Sequence, residues 1–268
     1  MEYVRGARPW GGGSCATIPK RQTVDISRIP PDTALGRILR APLSLVPKAA
    51  VVPVLSGPLR GARWIVGAAT HGCWLGTYER AKQRMFADSV RPGAVVFDVG
   101  ANVGFYTLIA ARRSGVAGRV FAFEPLPRNV AFLRRHLQHN RLSNVDVIEA
   151  AVSDTAGTAT FEVSESPSMG RLVASGQLQV ATVTLDQMVL DSELPPPDVI
   201  KMDIEGGELR ALEGARRILA GSRPLIFLAT HGRGLRSDCC ALLEDLGYHV
   251  SGLGGEPAAQ TDELLAQG

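Results

Sequence analysis

The sequence predicts an α/β protein with a doubly wound, mostly parallel sheet, and three features of the chain carry that prediction. Short apolar runs alternate with helical patterns from Gly93 onward. Most of the runs are apolar over four to six residues, as is typical of strands buried on both faces, whereas Val145–Glu149 has an alternating pattern. A glycine-containing turn stands between the first strand and the helix that follows it, which is where doubly wound sheets bind ligands.

The alternation defines the main domain element by element. The predicted strands are Val95–Val99, Arg119–Phe123, Val145–Glu149, Asp198–Asp203 and Pro224–Ala229. The predicted helices are one beginning over Gly104–Ala111, then Pro127–His139 and Gly207–Ala220. The polar stretch Ser153–Leu194 lies between the third and fourth strands and contains two β-type segments, Thr158–Val163 and Val180–Leu185. Such an insertion would lie near the carboxyl edge of the sheet.

Three regions divide the chain: an arm over residues 1–50, a lead-in over 51–92 and the main domain over 93–268. The arm mixes Gly, Pro, Arg and Ser without a period, which predicts a mostly disordered or loosely packed segment. The lead-in pattern predicts short strands at Arg63–Val66 and Cys73–Thr77 and a helix over Tyr78–Val90. Residues 1–91 carry 14 Lys and Arg against 5 Asp and Glu, a balance that suits either a solvated tail or an anionic partner.

Cysteine usage and hydropathy predict a soluble, cytoplasmic protein without a transmembrane segment. The four cysteines show neither zinc-ligand spacing nor a disulfide framework, which fits a reducing compartment. The apolar stretch Ala41–Leu55 contains three prolines and a lysine and is shorter than the roughly 20 residues of a spanning helix. No secretory leader is evident. The sequence leaves the oligomeric state open.

The first chemical motif is the turn Asp98-x-Gly100-x-Asn102-x-Gly104. The two glycines allow close approach of the backbone to a ligand, and Asn102 tolerates a left-handed conformation. A nicotinamide dinucleotide would require G-x-G-x-x-G, and the sequence GANVGF lacks the middle and final glycines. An acid at position 98 would repel a pyrophosphate but suits the cationic amino acid end of S-adenosylmethionine.

The second motif is a carboxylate at the tip of the second strand. Glu124 ends the run VFAFEP, one strand–helix–strand step after Asp98. A carboxylate in this place can accept hydrogen bonds from both hydroxyls of a ribose. Together, the turn and Glu124 predict a nucleoside-containing cofactor.

The third motif is a charged cluster where the fourth strand ends. Lys201, Asp203 and Glu205 alternate and can share one face at the carboxyl edge. Three ionisable groups in five residues are costly to bury for structure alone, so a functional site is favoured. Glu208 is expected to cap the next helix or to face solvent.

Histidines give one further candidate. His231 follows the fifth strand in ATHG and could act as a general base toward a hydroxyl or as a hydrogen-bonded rim residue. His136 and His139, in the later turns of the second helix, are predicted to lie on the surface.

From about Trp74 to His231 the chain resembles the FkbM-type methyltransferase family. The motifs in order are Gly76-Thr77-Tyr78-Glu79, DVGANVGFYT, FEPLPRN, EAAVSD, TLDQ and KMDIEGGE. The resemblance implies the seven-stranded, Rossmann-like sheet of class I methyltransferases. Characterised members methylate hydroxyls of natural products and sugars.

The resemblance also implies roles for residues of this chain. The turn residues Asp98, Gly100, Asn102 and Gly104 would cradle the methionine part of S-adenosylmethionine, and Glu124 would bind the ribose. Three residues after the third strand would flank the adenine: Val152, Ser153 and Asp154. Many members carry a glutamate where Ala229 stands here, which leaves His231 as the polar candidate after the fifth strand.

These observations predict an O-methyltransferase that acts on a small-molecule or glycan hydroxyl. Asp203, with Glu205 or His231, would remove the proton or orient the acceptor, and Lys201 would hold Asp203 or the acceptor. No resident metal is predicted, although a variant in which Asp203 and Glu205 hold a divalent ion stays open.

Three alternatives remain open at this level. A methyltransferase acting on RNA could grip its substrate with the basic arm, but no Asn-Pro-Pro-Tyr-type motif follows the fourth strand. A nicotinamide dehydrogenase is disfavoured by the missing glycines. A non-catalytic homologue could keep the cofactor pocket without transferring a methyl group.

Overall fold

The computed structural model describes residue 43 and residues 45–163, 170–173, 178–191 and 194–268, and it describes the backbone alone at 161–163 and 170–173. Most of the predicted arm therefore lies outside the described residues. Where that arm ends, the chain is already bound to the lead-in. The amides of Val66 and Gly67 donate to the carbonyls of Ala50 and Lys48, at 3.0 and 2.7 Å.

The described residues form strands and helices throughout the lead-in and the main domain. The strands are β1 Val51–Pro53, β2 Arg63–Ile65, β3 Val95–Val99, β4 Arg119–Phe123, β5 Val145–Ile148, β6 Ala151–Val152, β7 Gly157–Val163, β8 Gly170–Val173, β9 Leu178–Val183, β10 Val199–Met202, β11 Leu225–Ala229, β12 His249–Gly252 and β13 Glu263–Gln267. The helices are α1 His71–Leu75, α2 Arg80–Ser89, α3 Phe105–Ser114, α4 Pro127–Asn140, α5 Leu185–Leu190, α6 Glu208–Glu213, α7 Arg216–Ser222 and α8 Arg233–Asp245, with a 3₁₀ turn at Ala258–Gln260.

The main sheet has seven strands in the order β12-β13-β11-β10-β3-β4-β5. The five adjacent strands β5, β4, β3, β10 and β11 are parallel to one another. β13 pairs antiparallel with both β11 and β12. The doubly wound, seven-stranded prediction is confirmed. The chain moves outward from β3 through β4 to β5 and then returns to β10 on the other side of β3. Ligands of open α/β sheets bind at the carboxyl ends of strands at this kind of reversal.

Apolar residues of alternating direction cover both faces of the sheet. Val96 packs with the lead-in and α3, whereas its neighbour Phe97 packs with α6, α7 and α8. The lead-in is part of this core, because the Phe86 ring meets those of Tyr106 and Phe227 edge-on at 5.2 and 5.3 Å. The lead-in therefore forms one wall of the domain.

Two predicted elements were wrong in type or extent. Cys73–Thr77 is not a strand: residues His71–Leu75 form α1, which ends at Gly76 in the left-handed region. A short buried apolar run does not distinguish a helix from a strand. The helix predicted over Gly207–Ala220 is two helices, because the Asp186 carboxylate accepts from the amides of Arg217 and Ile218 and starts α7 afresh.

The polar insertion contains β-strands, as predicted, and with β6 they form a separate small sheet. Its strand order is β6-β9-β7-β8, with β7 antiparallel to both β8 and β9. β9 ends at Val183, two residues before the predicted end. Thr184 there accepts a hydrogen bond from the Gln187 amide at 3.1 Å and starts α5.

Among the described residues, no helix combines the length and apolar character needed to cross a bilayer.

Candidate functional site

A cavity of about 270 Å³ opens at the carboxyl ends of β3, β4 and β10. Its walls come from the turn after β3, from residues after β4 and β5, from the segment after β10 and from the lead-in. Of the predicted site residues, it is lined by Gly100, Asn102, Glu124, Val152, Lys201, Asp203 and Glu205. These residues are far apart in the sequence, and the parallel sheet brings them to one edge.

The turn after β3 has the conformation that its residue types predict. Gly100, Asn102 and Gly104 have φ values of +78°, +51° and +94°. A Cβ atom at position 100 would overlap the carbonyl oxygen of Asp203, and one at position 104 would overlap the Leu133 side chain. Glycine is therefore required at position 100 both by the backbone conformation and by the close approach of the segment after β10.

Asp98 lies beneath the turn and does not line the cavity. It is fully buried, accepts a hydrogen bond from Thr107 Oγ1 at 2.6 Å and lies 3.7 Å from Lys201 Nζ. Burial raises its pKa against the opposing effects of Lys201 and Thr107. The predicted contact between this acid and a cationic ligand is therefore at most indirect, through Lys201 and the turn.

Glu124 lies at the predicted place, beside the turn. Its carboxylate accepts from the backbone amides of Asn102 and Leu126 at 2.8 and 2.9 Å and from Asn129 Nδ2 at 3.2 Å. Burial raises the pKa of Glu124, and these hydrogen bonds oppose the rise. The fixed carboxylate at the cavity wall matches a hydrogen-bond acceptor for ribose hydroxyls.

The three residues predicted to flank an adenine separate in the structure. Val152 lines the cavity. Ser153 is buried and its amide donates to the Val183 carbonyl at 2.9 Å, while its hydroxyl donates to Asp154 at 3.0 Å. Asp154 is exposed. Ser153 and Asp154 lie outside the residues that line the cavity, so the apolar wall at this point is formed by Val152.

Lys201 lies buried between two carboxylates at the edge of β10. Its ammonium lies 3.7 Å from Asp98 and 3.6 Å from Asp203 Oδ2, and it donates to the Gly100 carbonyl at 3.2 Å. Burial favours a lower pKa for Lys201, but the two carboxylates outweigh it and raise the pKa. Lys201 is therefore a cation that holds Asp203 against the turn.

His231 joins the same cluster from the end of β11. Its Nδ1 lies 2.9 Å from Glu208 Oε1, and its Nε2 lies 3.4 Å from Glu205 Oε2 and 3.7 Å from Asp203 Oδ1. The hydrogen bond with Glu208 is the main reason that the pKa of His231 rises to about 9. With nothing else bound at Nε2, the ring is an imidazolium at neutral pH, which argues against the general-base role expected for it.

Glu208 is wholly buried, so the expectation that it faces solvent was wrong. It does cap the local turn, because Oε1 accepts from the amides of Ile204 and Gly206 at 3.2 and 3.1 Å. The other oxygen, Oε2, has no hydrogen-bond partner among the described residues. A buried carboxylate is therefore used to hold His231 in one orientation.

His136 is also buried, which corrects its surface prediction, whereas His139 is exposed as predicted. The His136 ring stacks on Trp64 at 4.0 Å, accepts from the Ile65 amide at 3.0 Å and donates to the Val103 carbonyl at 2.8 Å. Burial lowers its pKa to about 4, so the ring is neutral. This histidine ties the lead-in to the turn after β3.

The lead-in also contributes to the cavity, through residues to which the sequence assigned no individual role. Thr70, Cys73 and Tyr78 line it. Behind them, Tyr106 donates to Glu79 at 2.6 Å, and Lys82 lies between Glu79 and Glu263. The segment Gly76-Thr77-Tyr78-Glu79 was the available signal for this wall.

The fold and the cavity together define the class of protein: a Rossmann-like α/β protein with a cavity at the switch point between β3 and β10. The Methyltransferase FkbM domain family matches residues 98–250, more than half of the chain. The chain belongs to the FkbM methyltransferase family.

Several known proteins are similar to parts of the chain. The hexuronic acid methyltransferase AglP of Haloferax volcanii is 29% identical over 138 residues, which cover 51% of this chain and 56% of AglP. The 31-O-demethyl-FK506 methyltransferase FkbM of Streptomyces tacrolimicus is 48% identical over 69 residues, a quarter of each chain. The match to AglP thus spans little more than half of that relative's length. The crystal structure of methyltransferase FkbM from Methylobacillus flagellatus is 19% identical, with a TM-score of 0.47 over 75% of this chain and 56% of that one.

Proposed function

We propose that the chain transfers the methyl group of S-adenosylmethionine to a hydroxyl of a sugar, glycolipid or natural product. One observation carries the proposal: a single cavity is lined by the tight turn, by Glu124 and by the charged residues Lys201, Asp203 and Glu205. The relatives support it, since one is named for a hexuronic acid and another for an O-demethylated natural product.

The cavity fits S-adenosylmethionine by the chemistry of its lining. Gly100 and Asn102 line the cavity where the methionine part would bind, Glu124 accepts from a ribose, and Val152 offers an apolar surface to an adenine. The rings of Tyr78, Phe105 and Tyr106 also line the cavity, and aromatic rings attract a cationic group such as a sulfonium. The cofactor would supply a methyl group on a sulfonium, whose methyl carbon an oxygen nucleophile can attack while the neutral thioether leaves.

The charged residues at the cavity edge then position the acceptor and receive its proton. Asp203 is an ionised carboxylate in this set, because Lys201, Lys82 and His231 outweigh the effect of burial and lower its pKa. Lys201 fixes Asp203 through Oδ2, and Oδ1 lies on the side of His231. Alignment supplies most of the rate in a displacement of this kind, and a positioned base adds about 10²–10⁴-fold.

Two measurements on the purified full-length chain test the proposal. Calorimetric titration with S-adenosylhomocysteine should show one site per chain. Radiolabelled methyl transfer should then be screened over sugars, glycolipids and polyketides, with products analysed for new O-methyl groups. Absence of S-adenosylhomocysteine binding would refute the cofactor assignment, and binding without transfer to any hydroxyl acceptor would favour a non-catalytic homologue.

RNA methylation is a second candidate, favoured by the basic balance of residues 1–91. Residues 48–50 are bound to the lead-in, so the informative deletion is 1–42 and not the whole arm. If RNA is the acceptor, the truncated chain should bind RNA more weakly, and its remaining RNA affinity should depend less on salt concentration. It should still bind S-adenosylhomocysteine. Equal RNA affinity before and after the deletion would exclude the arm as the RNA-binding segment.

A further inference from the structure

We propose that Asp203, Glu205 and His231 form a binding site for a divalent first-row metal ion, which holds the acceptor hydroxyl. The proposal deepens the proposed function and rests on it for the role of the ion. One ligand atom from each residue lies within 4.8 Å of the other two. The side chains are 25%, 34% and 35% exposed, so an ion could reach them from solvent.

The distances are close to those of a coordination site. Nε2 lies 3.4 Å from Glu205 Oε2 and 3.7 Å from Asp203 Oδ1. Ligand atoms at roughly 2.1 Å from a common ion are separated by about 3 Å when adjacent and about 4.2 Å when opposite. The two distances from His231 therefore need shifts of about half an ångström, and the two carboxylate oxygens, within 4.8 Å of each other, are compatible with opposite positions. Three protein ligands leave further positions for an acceptor oxygen and water.

The support behind the ligands distinguishes this site from a surface cluster of acids. Glu208 is fully buried and holds His231 through Nδ1, which leaves Nε2 as the nitrogen directed at the two carboxylates. Metal-bound histidines commonly have a carboxylate on the second ring nitrogen, and that partner fixes the tautomer and the ring orientation. Lys201 similarly engages Asp203 through Oδ2, so Oδ1 is the oxygen on the His231 side.

The charge balance gives a second, independent reason. Two cations, Lys201 and His231, form ion pairs with four carboxylates: those of Asp98, Asp203, Glu205 and Glu208. Oε2 of Glu208 is buried and has no hydrogen-bond partner within the described part of the chain. Such an excess of negative charge favours a bound cation. When no ion is bound, His231 carries a proton on Nε2. A divalent ion would take the place of that proton.

The ion has a direct use in the proposed reaction. An alcohol bound to the ion loses its proton to solvent water at a lower pH than a free alcohol does. The resulting oxygen attacks the sulfonium methyl, an O–CH₃ bond forms, and the electron pair of the breaking C–S bond returns to sulfur. The donor set of two carboxylates and one imidazole suits Mn²⁺ or a similar ion better than Ca²⁺, which takes oxygen ligands.

Titration of the chelator-treated full-length chain with MnCl₂, followed by the electron paramagnetic resonance signal of free Mn²⁺, tests the site. We expect one ion per chain. Glu205→Gln and His231→Gln should each weaken Mn²⁺ binding at least 10-fold, and Glu208→Gln should weaken it about 10–100-fold by releasing the ring. The control Asp245→Asn removes an acid that is 70% exposed at the far end of α8 and should leave the affinity unchanged.

The outcomes separate this inference from the proposed function. Circular dichroism and urea midpoints establish that each variant is folded, and Glu205→Gln, at a third exposed, is the variant expected to fold most readily. No stoichiometric Mn²⁺ site, or wild-type affinity in both Glu205→Gln and His231→Gln, overturns the metal site. If the chain binds S-adenosylhomocysteine but has no Mn²⁺ site, only the metal site is overturned. If it binds Mn²⁺ but not S-adenosylhomocysteine, only the proposed function is overturned.

Discussion

Replacement of Gly100 by alanine should disrupt the contact between the turn after β3 and the end of β10. Gly100 has a φ of +78°, and its added Cβ would overlap the Asp203 carbonyl and lie 2.9 Å from Ile204 Cγ2. Gly93 is a matched control with a φ of +83° and no described atom within 4 Å of an added Cβ. The two substitutions share the backbone penalty and differ in the close approach.

The expected magnitudes follow from that difference. The left-handed conformation costs alanine about 1–2 kcal/mol, and the reduced freedom of the unfolded chain returns roughly 0.4–1 kcal/mol. Gly93→Ala should therefore lower the free energy of unfolding by about 1 kcal/mol. Overpacking adds about 1–3 kcal/mol, so Gly100→Ala should lower it by about 3 kcal/mol.

Urea unfolding of both variants, monitored by circular dichroism, measures the difference. With a slope of roughly 2–3 kcal/mol/M, the midpoint of Gly100→Ala should lie about 1 M below that of Gly93→Ala. Binding of S-adenosylhomocysteine should weaken in Gly100→Ala and stay unchanged in Gly93→Ala. Equal midpoints for the two variants would refute the argument that the backbone approach at position 100 requires glycine.

Three further predictions concern the cavity. Glu124→Gln places an amide against three N–H donors, so titration calorimetry should show S-adenosylhomocysteine affinity about 10–100-fold lower, whereas the exposed-acid control Glu149→Gln should match the wild type. Asp203→Asn should reduce methyl transfer about 10²–10⁴-fold with cofactor affinity preserved, and full turnover with unchanged affinity would remove Asp203 from catalysis. In chelator-treated protein, the raised pKa of His231 means that the imidazolium stabilises the fold fully below pH 6.5 and loses that contribution as the pH rises through about 9. Urea unfolding measures this contribution as the difference in the free energy of unfolding between wild type and His231→Gln. After allowance for the exposure of His231, that difference should shrink by about 1–2 kcal/mol between pH 6 and pH 10. A constant difference would contradict the raised pKa of His231.

The five parallel strands of the main sheet were predictable because strands buried on both faces need largely apolar runs, whereas the antiparallel strands β12 and β13 were not placed individually. Val95–Val99 and Arg119–Phe123 were placed to the residue on that basis. The left-handed residue at Asn102 was predictable too, because its residue type and the flanking glycines allow few other conformations. Local stereochemistry was sufficient for both.

Short elements and histidine environments were not predictable in this way. Residues His71–Leu75 carry an apolar run that fits either a strand or a helix. The burial of Cys73 and Trp74 in the folded chain decides between them. His136 has a helix position that can be exposed, but the lead-in folds over it and stacks Trp64 on its ring. The partner that buries it comes from 72 residues earlier in the chain, and no local pattern records that approach.

The sequence by itself determined which residues meet at the carboxyl edge, because strand direction in a doubly wound sheet carries Asp98, Glu124 and Lys201 to neighbouring strand ends. Only the tertiary structure decided what each of them does there. Asp98 lies beneath the turn, and Glu208 turns inward to hold His231. Side-chain direction at a strand end depends on which elements pack above it, and those contacts form only when the lead-in and the segment after β10 close over the edge.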